Sequence, residues 1–178
     1  MSATDGPLLL IGFGNELRGD DGAGCRAARR LRACLGRHGR SVAVLTPGQL
    51  LPELAEPISR ARLVIFLDAS CRAAAGQVRR TRLQPAAEAG SAMAHHQTAE
   101  GLLGMARRLY GRAPAGWLHA IGASGFGYTE AMSPQVRRAV GRVVRDIARR
   151  AAARPGRGRR RAHSGCALSS LSRRAKIP

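Results

Sequence analysis

Residues 8–24 read LLLIGFGNELRGDDGAG and carry the clearest structural pattern of the chain. Residues 7–13 form a continuous apolar run with glycine at its end, a pattern typical of a strand buried on both faces of a parallel sheet. A helix is predicted to begin at Asp20 or Asp21, because apolar residues then recur at helical spacing. These apolar residues are Ala27, Ala28, Leu31, Cys34 and Leu35. A strand, a glycine-rich turn and a helix in this order predict the first unit of an α/β domain.

The rest of the chain continues to alternate between strand and helix patterns. Further strands are predicted at residues 41–45, 61–67 and 117–121, with an arginine-rich edge strand at 77–83. Helices are predicted at residues 48–56 and 98–110, and a third begins at Ser133-Pro134 with a cap followed by proline. The alternation predicts a three-layer α/β/α domain over residues 7–150, with a mostly parallel twisted sheet of about five strands.

The charge of the chain raises the question of a nucleic-acid partner, since the formal net charge is +19. Eight of the Lys and Arg residues lie in residues 154–178, a segment with no Asp or Glu and no periodicity. We expect this segment to be a disordered basic tail. The other arginines are scattered over predicted helix faces, and no aromatic residues accompany the basic runs to stack on bases. The distribution of charge therefore does not favour nucleic-acid binding as the main function.

The spacing of the cysteines and the lengths of the apolar segments indicate the cellular compartment. Cys25, Cys34, Cys71 and Cys166 lie far apart with no C-x-x-C pair, so neither a zinc knuckle nor a disulfide framework is indicated. No stretch approaches the roughly 20 apolar residues that a membrane span needs, and no positively charged leader precedes the first apolar run. We expect a cytoplasmic, reduced protein.

Polar residues that follow predicted strands are the candidates for chemistry, because sites in parallel α/β sheets form beyond the carboxyl ends of the strands. Asp20 and Asp21 follow the first strand, Asp68 follows the third, and His95-His96 precede the helix at residue 98. Carboxylates and an imidazole together would suit zinc or nickel. Each also has a simpler use, since the aspartates can cap a helix or a loop and the histidines can be exposed.

Two nucleotide-binding motifs are excluded at the first turn. The G-x-G-x-x-G spacing would require glycine at Leu17, and no acidic residue stands at the end of the second predicted strand, near Thr46, to hold a ribose. No Gly-Lys-Ser or Gly-Lys-Thr is present for a phosphate loop. The paired carboxylates of Asp20 and Asp21 would also repel a phosphate.

Several separated motifs resemble those of the hydrogenase maturation endopeptidases. The first is the stretch at residues 8–24. The others are VIFLDA at residues 64–69 with GQV at 76–78, a histidine followed by Leu102-Leu103, and LHAIG at 118–122 leading to MSP at 132–134. They occur in the family's order and span roughly residues 7–150.

The resemblance implies an endopeptidase that trims the C-terminal extension of a nickel-iron hydrogenase large subunit. It implies a metal site formed by Asp21, Asp68 and His95, with Glu16 outside the ligand set. His96 lies one residue too close to the Leu102-Leu103 pair to fit the family's distance. The nickel is expected to arrive inside the precursor, so the partner is the large-subunit precursor and the chain itself is expected to be monomeric.

Two alternatives stay open at this stage. One is a non-catalytic nickel-binding chaperone with the same fold, which would bind the precursor without shortening it. The other is the basic nucleic-acid-binding protein considered above. The residues do not identify how the peptide bond is hydrolysed, because neither an H-E-x-x-H helix nor an obvious nucleophile and base pair is present.

Overall fold

A computed structural model describes residues 6–37, 40–87, 97–128 and 131–153 of the protein. Five strands are present in this part of the chain: β1 (Leu8–Gly12), β2 (Val42–Leu45), β3 (Leu63–Ser70), β4 (Val78–Leu83) and β5 (Ala115–Gly122). The four α-helices described there are α1 (Ala23–Gly36), α2 (Ala55–Arg60), α3 (Ala99–Tyr110) and α4 (Pro134–Ala153).

The strands form one sheet in the order β2-β1-β3-β5-β4. β1 pairs in parallel with β2 and β3, and β3 pairs in parallel with β5. β4 lies at the edge and runs antiparallel to β5. Its sequence VRRTRL is almost wholly exposed, and such charged side chains discourage edge-to-edge pairing with another sheet. The predicted fold class, a mostly parallel α/β sheet of five strands, is confirmed.

Two apolar cores cover the two faces of the sheet. Alternate residues of β1 point to opposite faces, so that Leu8 and Leu10 join one core while Leu9 and Ile11 join the other. Helices α1 and α4 cover the first core, and α2 and α3 cover the second. The continuous apolar run of β1 is therefore explained by burial on both faces.

Several predicted element bounds need correction. α1 begins at Ala23, because Gly19–Gly22 forms one 3-10 turn before it, and β3 continues through Asp68 to Ser70. The helix predicted at residues 48–56 is displaced to a 3-10 turn at Pro52–Leu54 and α2. Pro57 does not end that helix, since it lies in the first turn of α2, where the missing N–H has no intrahelical partner to lose.

The last helices agree better with the sequence pattern. Thr98 caps α3 by accepting a hydrogen bond from the Gly101 N–H at 3.0 Å, and Gly111 follows the helix with φ 70°. Ser133 precedes α4 and accepts from the Val136 N–H. The structure contains no helix, among the residues it describes, that is long and apolar enough to cross a membrane.

The site region is set by the strand order. β1 has β2 on one side and β3 on the other, so the connections from the ends of β1 and β3 leave the sheet in opposite directions. Ligands bind at such a switch point in open α/β sheets. The turn at residues 21–24, which follows β1, and the carboxyl end of β3, which carries Asp68, meet at this switch point.

Candidate metal centre

Glycines hold the start of α1 directly against the end of β3. A Cβ at Gly24 would lie 2.2 Å from the Leu67 carbonyl oxygen, and one at Gly12 would lie 2.3 Å from the Gly24 carbonyl oxygen. Backbone therefore touches backbone at this crossing, which only glycine permits. The Phe13 N–H donates to the Leu67 carbonyl at 3.1 Å and fixes the same contact. As a result, the loop of residues 13–22 lies beside Asp68.

The carboxylate of Asp21 is oriented by its own loop. The Asn15 N–H donates to Asp21 Oδ2 at 2.8 Å, and Asn15 Oδ1 accepts from the Leu17 N–H at 2.9 Å. Gly14 has φ 119° and a Cβ there would meet the Asp21 carbonyl oxygen at 2.2 Å, so the loop can close only with glycine at this position. Asp21 itself stays partly exposed to solvent.

The carboxyl of Asp68 lies partly buried near the carboxyl end of β3. Burial is the main cause that raises its pKa to about 7, and the negative charge of Asp21 raises it further, against a lowering hydrogen bond from the Ala69 N–H. The two carboxyls are thus close enough to repel each other when both are ionised. A divalent cation between them would remove this repulsion and favour the ionised form of both, so the donor set fits a metal ion.

Asp20 has a different role from its neighbour, because it is buried and ties three loops together. Its carboxylate accepts from the Ser133 N–H at 2.7 Å, the Ser133 hydroxyl at 3.1 Å and the Gly125 N–H at 3.1 Å. Burial raises the pKa of Asp20, but these hydrogen bonds together outweigh it and hold the pKa below its usual value. With its lone pairs used in this way, Asp20 is not available to a metal.

The other acidic and sulfur groups of the region are also engaged. Glu16 forms a bidentate ion pair with Arg29, and both N–O distances are 2.6 Å. The Cys25 thiol is buried and donates to the Gly12 carbonyl at 3.2 Å. Burial, followed by the charge of Glu16, raises the pKa of Cys25 to about 11, so the reactive thiolate is scarce at neutral pH.

The predicted ligand set is therefore only partly placed. The structure brings Asp21 and Asp68 together, while His95 and the neighbouring His96 lie outside the described residues. Within the described part of the chain, no group of three or more His, Cys, Asp or Glu side chains is arranged to hold a metal ion. His95 accordingly stays a prediction, and so does the tail at residues 154–178, which lies outside the described part as well.

The structural role of Asp20 could not be assigned from the sequence. The sequence left open whether Asp20 or Asp21 caps a helix. The residues that donate hydrogen bonds to the Asp20 carboxylate follow it by more than 100 positions along the chain. The only available signal was Ser133 before Pro134, which predicted a helix cap and not a partner for Asp20.

Comparison with known proteins gave matches at the level of structure alone. No protein-family model and no curated protein sequence matches the chain. The hydrogenase maturating endopeptidase HybD from E. coli is 21% identical with a TM-score of 0.56, over 79% of this chain and 89% of that one. The [NiFe] hydrogenase maturation protease HycI from Thermococcus kodakarensis KOD1 is 22% identical with a TM-score of 0.60, over 80% and 90%.

A third solved structure extends the comparison. The hydrogenase 2 maturation peptidase from Thaumarchaeota archaeon SCGC_AB-539-E09 is 19% identical with a TM-score of 0.55, over 83% of this chain and 99% of that one. At these identities the likeness establishes the fold, which the chain shares over nearly the whole length of these proteins.

Proposed function

We propose that this chain is a cytoplasmic endopeptidase that removes the C-terminal extension of a nickel-loaded [NiFe]-hydrogenase large subunit. The observation that carries the proposal is the pair of neighbouring carboxylates, Asp21 and Asp68, at the switch point between β1 and β3, where the charge of Asp21 acts on Asp68. The pair occurs in a fold shared with solved structures named as hydrogenase maturation proteases. The sequence motifs that resemble that family contain both aspartates.

The nickel in this proposal is carried by the substrate precursor. Asp21 and Asp68 contact the nickel that the precursor carries, and His95 supplies the third protein ligand. Ligation favours the ionised carboxylate, so binding of the loaded precursor displaces the proton that Asp68 holds when its pKa is about 7. A precursor without nickel offers no positive charge to keep Asp21 and Asp68 ionised side by side, which gives a physical basis for selecting the loaded form.

The surface around the pair suits a protein substrate. Leu17 is 59% exposed and Tyr128 is 87% exposed, although both are large and apolar. Arg18 connects their loops, since its guanidinium lies 5.6 Å from the Tyr128 ring centroid and its Nε donates to the Phe126 carbonyl. Exposed aromatic and apolar side chains beside a functional site are typical of a protein-binding surface.

Exchange of each proposed ligand tests the proposal. Asp21→Asn, Asp68→Asn and His95→Ala should each slow trimming by about 100-fold or more, because ligand loss misplaces the substrate nickel and the peptide bond beside it. Glu16→Gln and His96→Ala are the matched controls and should retain most of the activity. The measurement is the mass of nickel-loaded large subunit after incubation with each variant, with circular dichroism as a check of folding.

The assay also separates the alternatives. Normal cleavage by all three ligand variants would contradict the metal-site proposal, and an inactive His96→Ala with an active His95→Ala would move the third ligand by one residue. A wild-type chain that binds the precursor and leaves its mass unchanged would indicate the non-catalytic chaperone.

A further inference from the structure

A pocket lies away from the candidate metal centre, on the face of the sheet that α4 covers. Its volume is about 340 Å³, and it lies toward the amino ends of the strands, since Leu8 and Leu63 begin β1 and β3. Apolar side chains of Leu8, Leu63, Ile65 and Ile147 contribute to its lining. Pockets of this size and character accommodate small organic ligands.

Arginines from four different segments converge on this pocket. They are Arg40, Arg62, Arg80 and Arg150. The Arg80 guanidinium lies 3.5 Å from the centroid of the Trp117 ring, and its pKa is lowered by burial and then by the positive charge of Arg150. The Arg80 and Arg150 side chains are thus close enough to repel each other.

The described negative charge beside Arg80 and Arg150 comes from one carboxylate. None of the described residues that line the pocket is acidic, and the carboxylate next to it, Asp146, is already paired with Arg150 at 2.8 Å. His119 adds no positive charge, because burial and then Arg80 lower its pKa to about 4 and leave the ring neutral at pH 7. The pocket therefore combines an apolar lining with the guanidinium groups of Arg80 and Arg150, whose two positive charges exceed the single negative charge of Asp146.

We propose that this pocket binds a small organic anion with an apolar body, of the class of medium-chain or aromatic carboxylates. Guanidinium groups match a carboxylate in charge and in planar geometry, and an anion between Arg80 and Arg150 would offset their repulsion. The apolar body would contact the Leu and Ile side chains. The chain's own residues 154–178 make a poor occupant, since they carry eight Lys and Arg residues and no acid.

Trp117 provides a direct readout, because it is the single tryptophan of the chain and lines the pocket. The full chain is titrated with octanoate, followed by Trp117 fluorescence and by calorimetry. We expect saturable one-to-one binding. Octanol has the alkyl chain of octanoate without its charge, and inorganic phosphate has negative charge without an alkyl chain. Each should bind at least about tenfold more weakly than octanoate.

Variants locate the binding. Arg80→Gln and Arg150→Gln should each weaken octanoate binding by about fivefold or more by calorimetry. Arg145→Gln is the matched control on α4, since Arg145 lines a different surface, and Asp68→Asn controls for the candidate metal centre; both should bind normally. Absence of saturable binding, equal affinity for octanol or phosphate, or an equal loss in Arg145→Gln would each overturn the proposal.

Discussion

At the residue scale, two adjacent aspartates of the same loop have opposite environments. Asp20 is 1% exposed and its carboxylate accepts hydrogen bonds from Ser133 and Gly125 of other loops, whereas Asp21 is partly exposed and its charge acts on Asp68. The sequence alone predicts that an acidic residue matters here. The resemblance assigns the metal role to Asp21, but the sequence cannot give the structural role of Asp20, because that role is made by Ser133 and Gly125, whose approach to Asp20 depends on the whole fold.

This difference predicts opposite results from the same substitution. Asp20→Ala should lower the free energy of unfolding by about 3 kcal/mol or more, because the Ser133 and Gly125 donors lose a buried charged acceptor. Asp21→Ala should change it by less than about 1 kcal/mol and affect trimming instead. Urea unfolding of the two variants measures this. Equal stability of the two would contradict the roles assigned to them.

Asp68 predicts how the stability of the metal-free protein depends on pH. Its pKa of about 7 in the folded protein lies above that of an unfolded aspartate, so the folded protein holds the extra proton in between. Its contribution to stability is therefore present at low pH and is lost as pH rises toward and through about 7. Asp68→Asn removes this loss.

The comparison is made by urea unfolding of wild-type protein and Asp68→Asn at pH 5 and pH 8. We expect the stability advantage of Asp68→Asn to grow by about 1 to 2 kcal/mol between the two, after allowance for solvent screening of a partly exposed group. A constant difference across this pH range would show that Asp68 titrates normally, contrary to its partly buried position near the charge of Asp21.

At the scale of elements, the position of α1 against β3 depends on glycine. Gly24→Ala should destabilise the protein by about 3 kcal/mol or more, since its Cβ would lie 2.2 Å from the Leu67 carbonyl oxygen and push the helix off the strand that carries Asp68. Gly36→Ala is the matched control within the same helix, because a Cβ there meets nothing within 4 Å.

Thermal unfolding of both variants measures the effect. Gly36→Ala should be neutral or slightly stabilising, by about 0.5 kcal/mol, because alanine restricts the unfolded chain. A Gly24→Ala protein as stable as Gly36→Ala would mean that the helix and the strand are not in backbone contact.

Elements with strong apolar patterns could be predicted from the sequence, and those with weak patterns could not be placed well. The predictions of a buried β1 and of a capped α3 agree with the structure, since burial requires apolar residues and helix caps require particular residue types. α2 was misplaced because a proline tolerated in a first turn resembles a boundary. Leu109 continues the helical apolar spacing of Leu102 and Ala106 and is nevertheless 66% exposed, since it lies in the last turn of α3.

At the scale of the whole molecule, topology brings the candidate site together. The strand order places the end of β1 beside the end of β3, and this was predictable in outline because parallel strands carry their carboxyl ends to one edge. The position of His95 relative to that edge is the part of the site that the described residues leave as a prediction.

Nickel-dependent trimming is tested by the mass of a purified hydrogenase large subunit after incubation with the wild-type chain, in nickel-loaded and nickel-free form. We expect the loaded precursor to lose a single C-terminal peptide and the nickel-free precursor to stay intact, because Asp21 and Asp68 are proposed to contact the substrate nickel. Equal cleavage of both forms would contradict nickel recognition by these carboxylates. An intact mass for both forms would contradict the proposed peptidase activity itself.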